Sequence, residues 1–261
     1  MKKTVLCFLI LIPAACLAQK KIKTLELSDT IISAAVDRPG EFYLMTVSGQ
    51  IQKFDKNGKL LVLYRHKGAP TLFDPRDGSR LFAYYRDQQQ YDYLNPVFEV
   101  TAAYKIDDVF AIAPWLVTTS GDHKLWILDA VDHSLKKLNA THTAVEVEIV
   151  VDTTLIDDAT TFTAMRDYQG FLFLLNPEKG IYIFNGLGKH IRTIEVSGIS
   201  DFNFLGEELY YYKEGKINFF DLFSAESRSM ECTGAPNTVL LTDERMLKVS
   251  FKSVDIFEFR P

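Results

Sequence analysis

The side chains able to do chemistry are few and scattered. His66, His123, His133, His142 and His190 stand at spacings that fit no metal-ligand pattern. No H-E-x-x-H, G-x-S-x-G or glycine-rich phosphate loop occurs. Histidines so placed read as isolated surface residues. The adjacent carboxylates Asp157 and Asp158 could give oxygens to a calcium site, since hard cations take several oxygen ligands, but a pair alone in a loop is ordinarily solvated. Asp37, Asp74, Asp167 and Asp243 recur at comparable places along the chain, where turn formation accounts for them. Beyond Cys7 and Cys16, Cys232 is the one cysteine, so neither a disulfide nor a cysteine-based metal site is expected in the body of the chain. The clusters Tyr84-Tyr85, Tyr91-x-Tyr93 and Tyr210-Tyr211-Tyr212 would suit a carbohydrate or peptide platform if exposed. In a strand, however, alternate residues face opposite ways, so half of each cluster is expected to pack inside, as is Trp126, with Trp115 partly exposed in a turn. No catalytic residue, metal site or cofactor is assigned, and the balance leans away from an enzyme.

What must position these residues is a repeat. Ile199–Met230 reads as four short strands rich in Ile, Phe and Tyr, cut by turns at Leu205-Gly206-Glu207, Glu214-Gly215 and Ser224-Ala225-Glu226. A lone meander cannot cover both of its faces, and copies of it follow along the chain. Its third strand, Ile217-x-x-Phe220-Asp221, recurs as Ile51-x-x-Phe54-Asp55, Tyr91-x-x-Leu94-Asn95, Leu125-x-x-Leu128-Asp129, Ile181-x-x-Phe184-Asn185 and Val254-x-x-Phe257-Glu258. The first apolar positions lie 40, 34, 56, 36 and 37 residues apart. A period near 40 with four strands per unit predicts an all-β fold, a six-bladed β-propeller of four-stranded blades. After Glu258 the sixth unit lacks its outer strand, while Ile22–Leu27 is an extra alternating strand ahead of unit one, which begins near Ile32. Pairing the two closes the ring and removes an exposed sheet edge.

Met1–Ala18 has a basic start, an apolar run too short to span a membrane, and small residues before Gln19, the pattern of a secretory signal peptide. Pro13-Ala14-Ala15-Cys16 is a weaker lipobox match, with acylation of Cys16 as the alternative to plain export. Residues 19–261 then form one propeller domain with a net charge of −7 once Lys2 and Lys3 are removed from the −5 of the whole chain. An acidic balance without basic runs argues against nucleic acid as a partner.

The one irregular spacing, 56 residues, places a surplus at about 139–160, which holds the alternating stretch Val145–Val151. In a propeller the connections between blades share a face with the turns joining second and third strands. That puts the surplus beside Arg86-Asp87, Asp122, Lys179 and Lys213. Insertions on repeat scaffolds often mark a binding face. The candidate partner-binding residues are therefore Arg86, Asp87, Asp122, His142, Asp157, Asp158, Lys179 and Lys213.

The repeated units, the leader and the extra terminal strand together resemble exported bacterial six-bladed β-propellers of the broad NHL-like kind. The motif carrying the resemblance is apolar-x-x-apolar-Asp/Asn followed by a turn, over the whole mature chain. The Trp-Asp signature of WD40 repeats, the paired glycines of kelch and the Asp-box of sialidase-like propellers are absent. Six-bladed lactonases hold a divalent metal near the channel, but no residues here match that pattern one by one. The expectation is a non-catalytic scaffold in the periplasm, a monomer within a complex, that meets another envelope protein through loops on one face. A metal-dependent hydrolase or lactonase with a site at the central channel is the alternative.

Overall fold

The structure, a computed structural model, describes residues 20–65 and 68–260, so the leader-like segment, Cys16 and His66 lie outside the described residues. Apart from two short 3-10 turns, the regular structure described is all strand. The first strand, β1 (Lys21–Glu26), precedes blade one, which is β2 (Ile31–Val36), β3 (Phe42–Thr46), β4 (Gln50–Phe54) and β5 (Leu60–Arg65). Blade two is β6 (Leu72–Asp74), β7 (Leu81–Tyr85), β8 (Gln90–Leu94) and β9 (Val100–Lys105). Blade three is β10 (Pro114–Thr119), β11 (Leu125–Asp129), β12 (Ser134–Leu138) and β13 (Val145–Val150). Blade four is β14 (Ala164–Tyr168), β15 (Phe171–Asn176), β16 (Gly180–Asn185) and β17 (His190–Glu195). Blade five is β18 (Asn203–Leu205), β19 (Glu208–Lys213), β20 (Lys216–Asp221) and β21 (Ser227–Glu231). The last three strands, β22 (Thr238–Leu241), β23 (Arg245–Val249) and β24 (Ser253–Glu258), form blade six together with β1. The molecule is a six-bladed β-propeller of four-stranded antiparallel blades.

Period-two alternation drives the stacking. In β7, Phe82 and Tyr84 pack into the cluster shared with blades three and four, while Leu81, Ala83 and Tyr85 pack with Tyr43, Met45 and Ile51 of blade one. Tyr210 and Tyr211 split likewise between the clusters toward blades six and four. Both faces of the sheets are thus covered, which explains why these strands read as nearly continuous apolar runs. Tyr84, Tyr85, Tyr91 and Tyr93 are all buried, more than the half expected, while of the 210–212 cluster only Tyr210 is fully buried.

Four of the turns between third and fourth strands share one chemistry. The side-chain oxygen of Asp55 accepts from the N–H groups of Asn57 and Lys59, and Asn95 and Asn185 do the same two and four residues on, while Asn139 accepts from Thr143 four residues on. The residue three after the Asp or Asn has positive φ: Gly58, Phe98, His142 and Gly188. A histidine at 142 is therefore held by turn geometry that glycine would meet without strain.

Blade three departs from the sequence expectation in phase. Leu125-x-x-Leu128-Asp129 is its second strand, and the true third-strand copy is Leu135-x-x-Leu138-Asn139 in β12. With position 135 in the series the spacings become 40, 44, 46, 36 and 37. Asp129 misleads because it is itself a turn former: its carboxylate accepts from the N–H groups of Val131, Ile112 and Ala113. The stretch 139–160 accordingly holds an ordinary turn, the regular outer strand β13 and the start of the 151–163 connection, which is the longest described between two blades.

Ring closure follows the expected pairing. Lys21, Thr24 and Glu26 of β1 lie opposite Phe257, Asp255 and Ser253 of β24. The Leu27 N–H donates to the Lys252 carbonyl at 2.8 Å and the Glu258 N–H to the Lys20 carbonyl at 2.9 Å. Lys23 reaches on to the Gly58 carbonyl of blade one at 2.8 Å, and Leu25 and Leu27 pack against the cluster between blades six and one. Deleting residues 20–27 removes that ladder and two partly buried leucines, a loss of about 3 kcal/mol or more. The expected consequence is a melting temperature lower by roughly 6–12 °C. An unchanged thermal midpoint in calorimetry contradicts the closure.

Candidate functional site

Because strands alternate in direction outward from the axis, two faces are defined. Turns between first and second strands, and between third and fourth, lie on a lower face. Turns between second and third strands, and the connections between blades, lie on an upper face. Six of the eight candidate residues fall on the upper face. Arg86 and Asp87 lie between β7 and β8, Asp157 and Asp158 in the 151–163 connection, Lys179 between β15 and β16, and Lys213 at the end of β19. Asp122 and His142 do not. They lie in the β10–β11 and β12–β13 turns on the lower face, a consequence of the one-strand phase difference in blade three.

The upper residues are tied to different degrees. Arg86 donates from Nε to the Trp115 carbonyl at 2.7 Å, and its guanidinium stacks 3.4 Å from the Trp115 ring, joining blades two and three. Trp115 in turn donates to the Phe162 carbonyl at 2.9 Å. Asp158 caps the 3-10 turn Ala159–Thr161 by accepting from the Thr160 N–H, and Lys179 meets Asp157 at 2.8 Å. Asp87 is exposed. Lys179 and Lys213, with Glu195, Tyr211, Glu214 and Lys216, line a groove of about 610 Å³ at blades four and five. On the lower face, Asp122 binds Lys137 at 3.2 Å. There too, His142 is wedged among Tyr91, Tyr93 and Tyr104, with Nδ1 2.7 Å from the Tyr91 hydroxyl. Burial holds the His142 imidazole below its usual pKa.

Three of the four recurrent acids, Asp37, Asp74 and Asp167, are more than turn formers. Asp37 accepts from the Glu41 N–H and from the Tyr43 hydroxyl, both at 2.8 Å, and burial pushes its carboxyl up. Asp167 sits within β14 rather than in a turn. It accepts from Trp126 Nε1 at 3.1 Å and the Gly121 N–H at 3.2 Å, tying blade four to blade three, and burial raises it too. Asp74 is gripped by Arg76, whose Nε lies 2.8 Å from Oδ1. Burial alone would raise Asp74, but the Arg76 charge and hydrogen bonds outweigh it, and the net shift is downward. Arg76 also donates to the Asp167 carbonyl, so it ties the lower turn of blade two to the inner strand of blade four.

Above that contact lies a cavity of about 510 Å³, walled by inner-strand residues of five blades. Arg166 and Asp201 pair across it at 2.9 Å. Neither they nor Arg76 stood out in the sequence. The one available signal was a charged residue in the middle of Ala164-Met165-Arg166-Asp167-Tyr168, an inner strand where an apolar residue is the norm. Among the described residues, no three His, Cys, Asp or Glu side chains gather as a metal site, and no described helix is long and apolar enough to cross a membrane.

No family model matches the sequence, and no curated protein does. Among solved structures, virginiamycin B lyase from Staphylococcus aureus aligns with a TM-score of 0.57 at 11% identity, covering 88% of this chain and 80% of its own. A streptogramin B lyase structure aligns with a TM-score of 0.57 at 13% identity, covering 87% and 78%. BamB from Moraxella catarrhalis aligns with a TM-score of 0.48 at 9% identity, covering 92% and 100%. The likeness is one of fold, and it agrees with the propeller architecture expected from the NHL-like resemblance.

Arg76→Met should cost about 3–5 kcal/mol at pH 7, because it strands the Asp74 carboxylate in the interior. The sign with pH follows from the two proteins' titrations. In the wild type, the lowered Asp74 contributes stability present above the usual carboxylate range and lost as pH falls through its folded pKa. In the variant, burial is opposed only by the residue-76 N–H and the Arg166 charge, so Asp74 moves upward and the deficit shrinks toward pH 4 as the carboxyl takes up its proton. Adding Asp74→Asn should restore most of the loss at pH 7. Thermal melts of both variants at the two pH values check this.

Proposed function

We propose that this chain is a non-catalytic interaction propeller of the cell envelope that presents its upper face to a protein partner. One observation carries the reading: the upper face exposes large apolar side chains on blade three and where blades six and one meet, with charged turns beside them. Val109, exposed by 78%, and Ile112 stand on the connection into blade three, and Val131 on the adjacent turn. Phe251, exposed by 64%, Ile32 and Val47 stand together where blades six and one meet. On the equivalent turns of blades two, four and five and on the 151–163 connection lie Asp87, Lys179, Lys213 and Asp157. Exposed apolar side chains grouped on one face and flanked by charges are what a protein interface uses. The lower face exposes Val97, Leu187 and Phe223, but each sits on the outer turn of a different blade, far from the axis. The envelope location rests on the leader-like Met1–Ala18, and a rigid scaffold carrying function on its loops fits the role.

The test compares three tagged proteins in pull-downs from envelope extracts, each first shown to melt like the wild type. Val47→Asp with Phe251→Asp should cut recovery of the bound protein at least about tenfold, since charges buried at an interface centre are costly. Leu187→Asp with Phe223→Asp on the lower face should leave recovery unchanged. Equal recovery by all three refutes the upper face as the docking surface.

A further inference from the structure

The hairpin of β19 and β20 turns a patch of four side chains toward blade four. Across its ladder Tyr211 lies opposite Asn218 and Lys213 opposite Lys216, and positions two apart on a strand share a face. All four line the groove of about 610 Å³, together with Lys179, Glu195 and Ser197 from blade four and the connection that leaves it. The Tyr211 ring is half-buried against the cluster shared with blade four. Lys213 and Lys216 are like charges placed directly opposite, which costs stability in a sheet. Little on the protein relieves it. Lys216 comes no nearer to Glu231 than 3.4 Å, with both side chains at least half exposed, and among the described residues Lys213 meets no carboxylate within ion-pair distance. Two cations set side by side beside an aromatic ring, without a close counter-ion, call for an anionic group from outside.

We propose that this groove is a binding site for an anionic saccharide, a sugar unit that carries a carboxylate or a phosphate. The anionic group sits between the Lys213 and Lys216 ammoniums, accepts a charge-assisted hydrogen bond from each and cancels their repulsion. Tyr211 and Asn218 stand two residues further along their strands, about 7 Å away. One sugar ring and its charged substituent span that distance. The C–H face of the ring lies on Tyr211, and the Asn218 amide donates to and accepts from its hydroxyls. Across the groove Glu195 and Ser197 accept from the remaining hydroxyls. A bare anion is the poorer ligand, because Glu195 and Glu214 share the lining and repel it without receiving a donor in exchange. A neutral sugar leaves the lysine pair unanswered. The volume falls in the range of small-molecule sites, about 300–1,000 Å³. Lys179 and Lys213 also stand among the charged turns beside the docking face, so the two regions adjoin. None of that face's exposed apolar residues lines the groove, and the saccharide reading does not depend on the docking one.

The experiment is isothermal titration of the purified protein with trigalacturonic acid, glucose 6-phosphate, maltotriose, citrate and tri-L-glutamate. At least one of the two anionic sugars should bind with a Kd of about 1 mM or tighter, and which one binds tells a carboxylate from a phosphate. Neutral maltotriose, ringless citrate and the acidic peptide should each bind at least about tenfold more weakly. Lys213→Met with Lys216→Met should lose at least about tenfold in affinity yet melt no lower than the wild type, since it removes a like-charge pair. A merely structural role for the lysines would lower the melting temperature instead. Asn218→Leu should also weaken binding, and it decides the matter if the lysine variant does not fold. Val47→Asp with Phe251→Asp should bind the sugar as the wild type does, so loss of docking and loss of the saccharide are read apart. The proposal is overturned if neither anionic sugar binds, or if the folded groove variants bind unchanged. It is equally overturned if maltotriose or citrate binds as well as the better anionic sugar, or if tri-L-glutamate does, which would assign the groove to an acidic peptide.

Discussion

Everything in this molecule depends on sheets that must be covered on both faces. A four-stranded meander with apolar residues at odd and even positions alike is insoluble alone, and a stack of such sheets has two bare ends. Closing the stack into a ring removes both ends at once. The pairing of β1 with β24 therefore does more than add one ladder. It lets the cluster between blades six and one, with Phe42, Leu44, Leu247 and Ile256 at its heart, form between two complete sheets. The contacts Lys23 to Gly58 and Lys56 to Glu244, at 2.8 and 2.9 Å, then run across the seam from blade six to blade one.

The same geometry decides where polar groups are tolerated. The interior between blades is apolar and aromatic, as where Tyr168 of blade four stacks on Phe204 of blade five at 4.1 Å, or where the stacked pair Phe42 and Phe54 of blade one, 5.0 Å apart, packs toward blade six. At the axis the inner strands diverge and bulky filling fails. Charges collect there instead: Arg76 with Asp74, Arg166 with Asp201, and Asp167 beneath them. Asp37, Asp74, Asp167 and Asp201 each have a specific partner, a tyrosine hydroxyl, a guanidinium or an indole N–H. Burial nonetheless raises Asp37, Asp167 and Asp201, while only Asp74 is lowered, because only Asp74 receives a guanidinium gripping both of its oxygens.

Local chemistry with a fixed period was legible in the sequence, and long-range convergence was not. The third-strand motif, ending in Asp or Asn in four copies and in Glu258 in the last, located five of the six blades, since a side chain that starts a turn acts within five residues and leaves its mark on the string. The same local character produced the one phase slip. Asp129 ends a second strand with the same bonding habit, so a local pattern could not separate it from Asn139, and Asp122 and His142 were carried to the wrong face with it. Arg166 and Asp201 were silent because they partner each other across blades, and Arg76, though it grips Asp74 two residues away, gave no sign of its reach to blade four. Arg166 reaches 35 positions along the chain and Arg76 reaches 91, distances at which no sequence pattern survives.

The two ends of the axis are therefore built for different work. At the lower end the turns are locked together: Arg76 bonds the Asp167 carbonyl, and a side chain added at Gly78 would meet Pro39 at 3.3 Å, which shows how closely the turns of blades one and two approach. Those contacts hold the inner strands at fixed separation. At the upper end the connections between blades are longer than the hairpin turns, and Val109, Ile112, Val131 and Phe251 stand exposed among the charged turns. A rigid floor beneath an adaptable mouth lets the upper loops change without loosening the ring, because the strands that would transmit the change are clamped below. If the upper face docks a partner as proposed, that division separates recognition above from stability below.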